Sequence, residues 1–251
     1  MRILVTNDDG IAAPGLAVLE RIARTLSDDV WVVAPEHEQS GAGHSLSLTN
    51  PLRLHAHGDR RFAVRGTPTD CVMLGVKEVL DGRPDLILSG VNRGANIAED
   101  VTYSGTIAAA MEGTLLGIPS IALSQVGFAD QVIKWQTVEA HAPAIVRQLV
   151  DARWPADVLI NLNFPDVEPD EVNGIHVVPH GRRDQTDITV DRRVDGRNIP
   201  YFWIGMRRQQ HMPPPGTDIG TIWRAGISVT PISLNLTARE VLDPLTRLFQ
   251  D

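Results

Sequence analysis

Two adjacent carboxylates, Asp8 and Asp9, stand in the tetrapeptide NDDG at residues 7–10, directly after the apolar run RILVT. Neighbouring carboxylates repel unless a cation is shared, and hard ions such as Mg²⁺ or Mn²⁺ take oxygen ligands in octahedral geometry. The pair also reads as an ordinary strand end, where Asp opens turns and caps helices. Two later segments offer neutral oxygen donors: Ser40 in PEHEQSG at 35–41, and Asn92 in SGVNRGAN at 89–96. Each alone reads equally as a turn residue.

A different chemistry is offered by DVTYSGT at 100–106, which opens an Ala-rich helical pattern. Free N–H groups at a helix start, flanked by the Ser104 and Thr106 hydroxyls and by Gly105, can hold a phosphate; Ser104 or Thr106 as a simple N-cap accounts for the same residues. Neither GxxxxGK[ST] nor a GxGxxG after the first strand occurs, which removes support from ATPase and dinucleotide readings. GTPTDC at 66–71 reads equally as a segment that shapes the pocket through backbone contacts and as a helix entry capped by Thr69, and Cys71 reads as a small buried core residue. The eight histidines show no HExxH spacing; His37, His44, His180 and His211 read as loop or surface residues. The arginine-rich stretch 182–208 reads most simply as a solvated surface, with a phosphate-facing wall as the second reading, and the PPPGTD segment at 213–218 as a rigid turn.

The elements that must position these residues alternate. Strands are expected at 2–6, 30–34, 85–89, 120–124, 158–162 and 227–233, and a hairpin from LRLHA (52–56) and RFAVR (61–65). Helices are expected from Gly15 to Leu26 with Pro14 near its start, from Thr69 to Leu80, from about Ser104, at 136–150 and from Ala238 to Phe249. Strand–helix alternation of this kind predicts an α/β fold, a Rossmann-like, doubly wound and mostly parallel sheet. In such sheets ligands bind outside the carboxyl ends of the strands, which is where the polar loops after strands fall. Residues 1–125 read as the core carrying the site. Residues 126–251 read as its continuation, with an irregular excursion at about 179–220 and a C-terminal helix, in one integrated domain. The excursion and the apolar last helix suggest elements exchanged between subunits.

Length and composition narrow the function. The 251 residues suit one large or two intimate domains, and 43% hydrophobic with 22% charged residues is an ordinary globular balance. A formal charge of −8 disfavours bulk nucleic-acid binding. A single cysteine forms no internal disulfide, which points to a reducing compartment, the cytoplasm. The chain opens without a basic segment leading to an apolar one, so no secretory signal is expected. The longest uncharged stretch, 113–129, is too short and too interrupted for a membrane span. Only Lys77 and Lys134 could serve amine chemistry.

Taken together, NDDG at 7–10, Ser40-Gly41, GTPTDC at 66–71, SGVNRGAN at 89–96, DVTYSGTIAAAMEG at 100–113 and PGTD at 215–218 resemble the SurE family of survival proteins. Order and spacing agree over nearly the whole chain, most specifically in the first half. The resemblance implies a metal-dependent phosphatase of nucleoside 5′- and 3′-monophosphates, some members acting also on short polyphosphate. By position it makes Asp8, Asp9, Ser40 and Asn92 ligands of one divalent cation per subunit, Mg²⁺ or Mn²⁺. It makes Asn96, Ser104, Gly105 and Thr106 phosphate contacts, and implies homodimers or homotetramers. Ala98 stands where many relatives have glycine, which bears on the loop conformation there.

On this reading the cation and the helix start share the phosphoryl oxygens while water attacks in line. Whether Asp8 or Asp9 also acts as a base or attacks directly stays open. A haloacid-dehalogenase-like phosphatase would need Asp-x-Asp after the first strand, whereas here the two are adjacent. A module that senses nucleotide without turning it over is the alternative from a different class.

Overall fold

A computed structural model of the chain describes residues 1–127, 132–183, 188–206 and 212–250. The first strand, β1 (Arg2–Thr6), alternates its side chains between two layers: Ile3 and Val5 pack with one apolar cluster, Leu4 with another. Helix α1 (Pro14–Arg24), with Pro at its first turn, buries Leu16, Leu19 and Ile22 in the first cluster. Strand β2 (Asp29–Pro35) pairs parallel with β1. The expected hairpin forms as β3 (Leu54–Ala56) and β4 (Arg61–Val64), antiparallel to each other, with β4 lying parallel to β2.

Helix α2 spans Pro68–Leu74 and continues as a wider turn over Gly75–Val79. Its cap is Thr67, not Thr69. The Thr67 hydroxyl accepts from the Asp70 N–H at 3.1 Å, and the Asp70 carboxylate accepts from the Thr67 N–H at 2.8 Å, a reciprocal box with Pro68 at the first helical position. Cys71 is fully buried in the second cluster, and burial pushes its thiol up, so it is unreactive.

Strand β5 (Leu86–Arg93) runs farther than the apolar run predicts, and most of the expected loop 90–96 is strand. Its register against β6 (Ser120–Gln125) shifts between Ser89 and Asn92. Gly90 makes the bulge possible: its φ is +131°, and a Cβ there would lie 2.2 Å from the Leu123 carbonyl oxygen. Helix α3 (Gly105–Leu115) crosses between these strands and is buried nearly all round. Helix α4 (Trp135–Ala152) covers the same face as α1 and leads to β7 (Val158–Phe164), parallel to β6.

Beyond β7, β8 (Ile175–Val177) was hidden from periodicity by its brevity. The excursion is less irregular than its composition suggests. β9 (Ile188–Val194) and β10 (Pro200–Met206) form a separate antiparallel hairpin, whose alternation is obscured in sequence by DRR. Residues 184–187 and 207–211, including His211 and part of the arginine-rich stretch, lie outside the described residues. The short α5 (Asp218–Ile222) precedes β11 (Ile227–Ser233), antiparallel to β7 and parallel to β8. The expected terminal helix is reduced to a 3₁₀ turn at Arg239–Val241 and α6 (Leu242–Leu248).

The main sheet has the order β3-β4-β2-β1-β5-β6-β7-β11-β8, parallel from β4 through β7. Helices α1 and α4 cover one face, α2 and α3 the other. Strand order reverses between β1 and β5. In open α/β sheets the crevice outside the carboxyl ends at such a reversal is the usual ligand position. Among the described residues no helix is long and apolar enough to cross a membrane.

Candidate active site

The NDDG turn sits at that reversal. Asn7 donates its side-chain N–H to the Gly10 carbonyl at 3.0 Å, and Gly10 has φ +99°, so the chain bends sharply with both carboxylates at the strand end. The neighbouring loops are tied to this turn by main chain. The Gln39 N–H donates to the Asp8 carbonyl at 2.8 Å, carrying Ser40 in; the Arg93 N–H donates to the Asp9 carboxylate at 3.1 Å, fixing the end of β5 beside it.

The structure brings Asp8, Ser40, Asn92, Asn96 and Ser104 to the wall of one cleft of about 420 Å³, with Asp100 and Arg183. Asp9 lines an adjoining recess of about 370 Å³, and Ser40 and Arg93 border both. Asp8 is only 4% exposed. Burial pushes its carboxyl up to about 6, the Asp9 charge adding to the rise and the Thr106 hydrogen bond opposing it. Asp9 is also raised, by burial first, with the Arg93 N–H opposing it. Ser40 donates its hydroxyl to Glu38 at 2.8 Å. Asn92, on the cleft wall, donates its side-chain N–H to the Gly94 carbonyl at 2.9 Å, so its carboxamide oxygen is not used in that bond.

The start of α3 packs directly on Asp8. The Thr106 hydroxyl, fully buried, donates to Asp8 Oδ1 at 2.5 Å, and the Ser104 hydroxyl accepts from the Ile107 N–H at 3.1 Å as N-cap. Thr106 thus orients a carboxylate, and Ser104 serves the capping role that its sequence context also allowed. Gly105 is the point of closest approach. A Cβ there would lie 2.7 Å from Asp8 Cβ and 3.0 Å from Pro68 Cγ.

Asn96 is held on every side. Its N–H donates to Asn163 Oδ1 at 2.8 Å, its carbonyl accepts from Asn161 and Asn163, and its side-chain N–H donates to Ser124 at 2.9 Å. Sequence reasoning did not single out Asn161 and Asn163; two polar residues two apart in the apolar run VLINLNF were the signal available. Asp218, read as part of a turn, is fully buried and accepts from the N–H groups of Ala98, Gly181 and Ile219 and from His180. Burial works to raise its carboxyl, but those donors outweigh it and hold the group below the usual range. Asp218 so pins Ala98, whose φ of +51° is the conformation that glycine adopts without strain.

Arg183 donates Nε to Asp100 Oδ1 at 3.0 Å and a second N–H to Oδ2, which fixes a guanidinium on the cleft wall. His180 is spent on Asp218 and His44 on Glu112, at 3.0 Å each, and His37 is exposed. Among the described residues no three His, Cys, Asp or Glu converge, so a cation centre here depends on neutral oxygens beside the two aspartates.

Known proteins resemble this chain over nearly its whole length. The family model described as Survival protein SurE matches residues 3–187. A protein of Parvibaculum lavamentivorans named 5′-nucleotidase SurE is 58% identical over 98% of this chain and 90% of its own length. One of the same name from Brucella anthropi is 59% identical over 96% of this chain and 94% of its own. The crystal structure of the SurE protein from Aquifex aeolicus superposes with a TM-score of 0.86 at 37% identity, covering 99% of this chain and all of that one.

Proposed function

The chain belongs to the SurE family, and on that premise we propose that it is a 5′-nucleotidase, releasing phosphate from nucleoside 5′-monophosphates with the help of a divalent cation. The observation that carries the reading is the convergence of Asp8, Ser40 and Asn92 on a cleft bordered by the start of α3, with Asp9 in the adjoining recess.

The donor set fits a hard cation. Two carboxylates, a hydroxyl and a carboxamide oxygen are all oxygen donors of the kind Mg²⁺ and Mn²⁺ accept, and water completes the shell. Burial is the main cause that raises the carboxyls of Asp8 and Asp9, with a neighbouring carboxylate adding to each, and a shared cation would relieve both costs. We assign Asp8, Asp9, Ser40 and Asn92 as ligands of one ion per subunit. When bound, the cation neutralises charge on the phosphoryl oxygens and favours ionisation of a water.

The chain's own groups do the positioning. The dipole of α3 at Gly105 and Thr106, with the Ser104 hydroxyl and Asn96 on the same cleft wall, favours an anion in the cleft, while the Thr106 N–H, like its hydroxyl, is turned to Asp8. Thr106 holds Asp8 in one orientation, so the carboxylate needs no rearrangement as charge develops. Water adds to phosphorus as the bond to the ester oxygen breaks, and nucleoside and phosphate leave.

The test is phosphate release from nucleoside 5′- and 3′-monophosphates and tripolyphosphate, with EDTA and then with Mg²⁺ or Mn²⁺ restored. Activity on the 5′-monophosphates that chelation removes and metal returns is expected; nucleotide binding with no phosphate released under any metal would make the chain a sensor instead.

Residues 1–125 and 126–251 are taken as one integrated domain, since β6, β7 and β11 join both in a single sheet. The lone buried Cys71 supports a cytoplasmic setting. We also assign the chain to a homo-oligomer, dimer or tetramer, because Phe202, Trp203 and Ile204 of β10 and Leu245, Leu248 and Phe249 at the C-terminus leave apolar surface bare. Sedimentation at micromolar concentration should give a dimer or tetramer mass; a monomer would overturn this.

A further inference from the structure

Beside the cleft lies a second cavity of about 520 Å³ whose walls are mainly apolar, formed by Ile97, Val167, Ile219, Ile222 and Trp223. It adjoins the cleft, since Ala95 and Arg183 line both. Arg183 is held at the seam by its two-pronged pair with Asp100. Trp223 remains 43% exposed, a large aromatic surface left partly bare on the cavity side of the site.

We propose that this cavity receives the nucleobase of the substrate, with Trp223 as the aromatic surface against which the base packs and Arg183 marking the passage from phosphate to base. The inference rests on the nucleotidase reading and adds to it the part of the substrate the cleft does not account for. A phosphate in the apolar cavity would lose its hydration against Ile and Val side chains, at large cost. A flat heteroaromatic ring loses little there and gains contact with an indole face. The volume is in the range of small-molecule pockets, which are largely apolar with a few polar groups at the edge; here Asp166 and Arg183 are the charged residues of the lining. Cavities that adjoin at Ala95 and Arg183 are what a single ligand needs, its phosphate at the start of α3 and its base one sugar away.

The experiment uses the full chain with Trp223→Ala, and Val167→Trp as a second variant that fills the cavity instead of opening it. Circular dichroism checks that each is folded. Two quantities are read: adenosine binding by calorimetry, and the ratio of kcat/KM for AMP to that for ribose 5-phosphate, which lacks a base. Base-on-aromatic stacking of ordinary strength predicts that Trp223→Ala weakens adenosine binding by about tenfold to a hundredfold and lowers the ratio by a similar factor. Val167→Trp should move both the same way. Wild-type affinity and wild-type ratio in both folded variants would overturn the proposal, as would a wild-type chain that binds no adenosine and treats the two substrates alike. If the wild-type chain hydrolyses neither substrate, the nucleotidase reading fails, while loss of adenosine binding in the variants would still support the cavity as a base site.

Discussion

Asp8→Asn and Asp9→Asn should each cut phosphate release by roughly a thousandfold or more, since a cation's share of transition-state stabilisation is several kcal/mol and about 1.4 kcal/mol is a factor of ten. The substitutions change little besides charge. An asparagine at residue 8 keeps an oxygen to accept from Thr106, and one at residue 9 keeps an acceptor for the Arg93 N–H. Each removes a carboxylate that burial disfavours, so thermal stability should hold or rise while turnover collapses. Calorimetry with Mn²⁺ should show the loss at the binding step, which separates a missing ligand from a missing proton acceptor. Near-normal turnover in both variants would remove the cation centre from the reading.

Gly105→Ala is the other severe change, and it acts through space rather than charge. The glycine does not sit at positive φ; it is required because its Cα faces Asp8 so closely that a methyl group would lie 2.7 Å from Asp8 Cβ and 3.0 Å from its Oδ2. The Asp8 Cβ is not the free end of a flexible chain, so the helix start must withdraw. A displacement approaching 1 Å at such a point costs about a hundredfold in rate. Overpacking should also cost about 1–3 kcal/mol of stability. Gly113→Ala is the control. At the far end of the same helix its Cβ would meet Ser120 Oγ at 2.4 Å and Ile87 Cδ1 at 2.6 Å, so stability should fall with turnover per folded molecule kept. Equal turnover in the two variants would show that the approach of α3 to Asp8 is not needed for catalysis.

The two glycine effects mark where reading the chain as a string stops. Periodicity located β1, β2, α1, α4, β7 and β11 to within a few residues, because a strand buried on both faces is a continuous apolar run and an amphipathic helix repeats its own contacts. It stopped β5 at residue 89, since GVNRG carries the composition of a loop; the bulge that keeps it a strand depends on the Leu123 carbonyl in the next strand. Thr69 reads from the sequence as the cap of α2, whereas the fold caps the helix with Thr67. The choice was made by the reciprocal bonds with Asp70.

Local spacing, composition and motif order thus suffice for the α/β alternation, the oxygen-donor types after the strands, and the SurE resemblance. Each of these is a property of residues near one another in the chain. Sheet order alone decides that Thr106 reaches Asp8 across 98 positions, that Asn163 holds Asn96 across 67, and that Asp218 fastens Ala98 across 120. It also decides that Trp223 closes a cavity against Ile97. Such contacts are set when the parallel strands stack and α3 is pressed against β5, β6 and the NDDG turn. No window of sequence contains both partners.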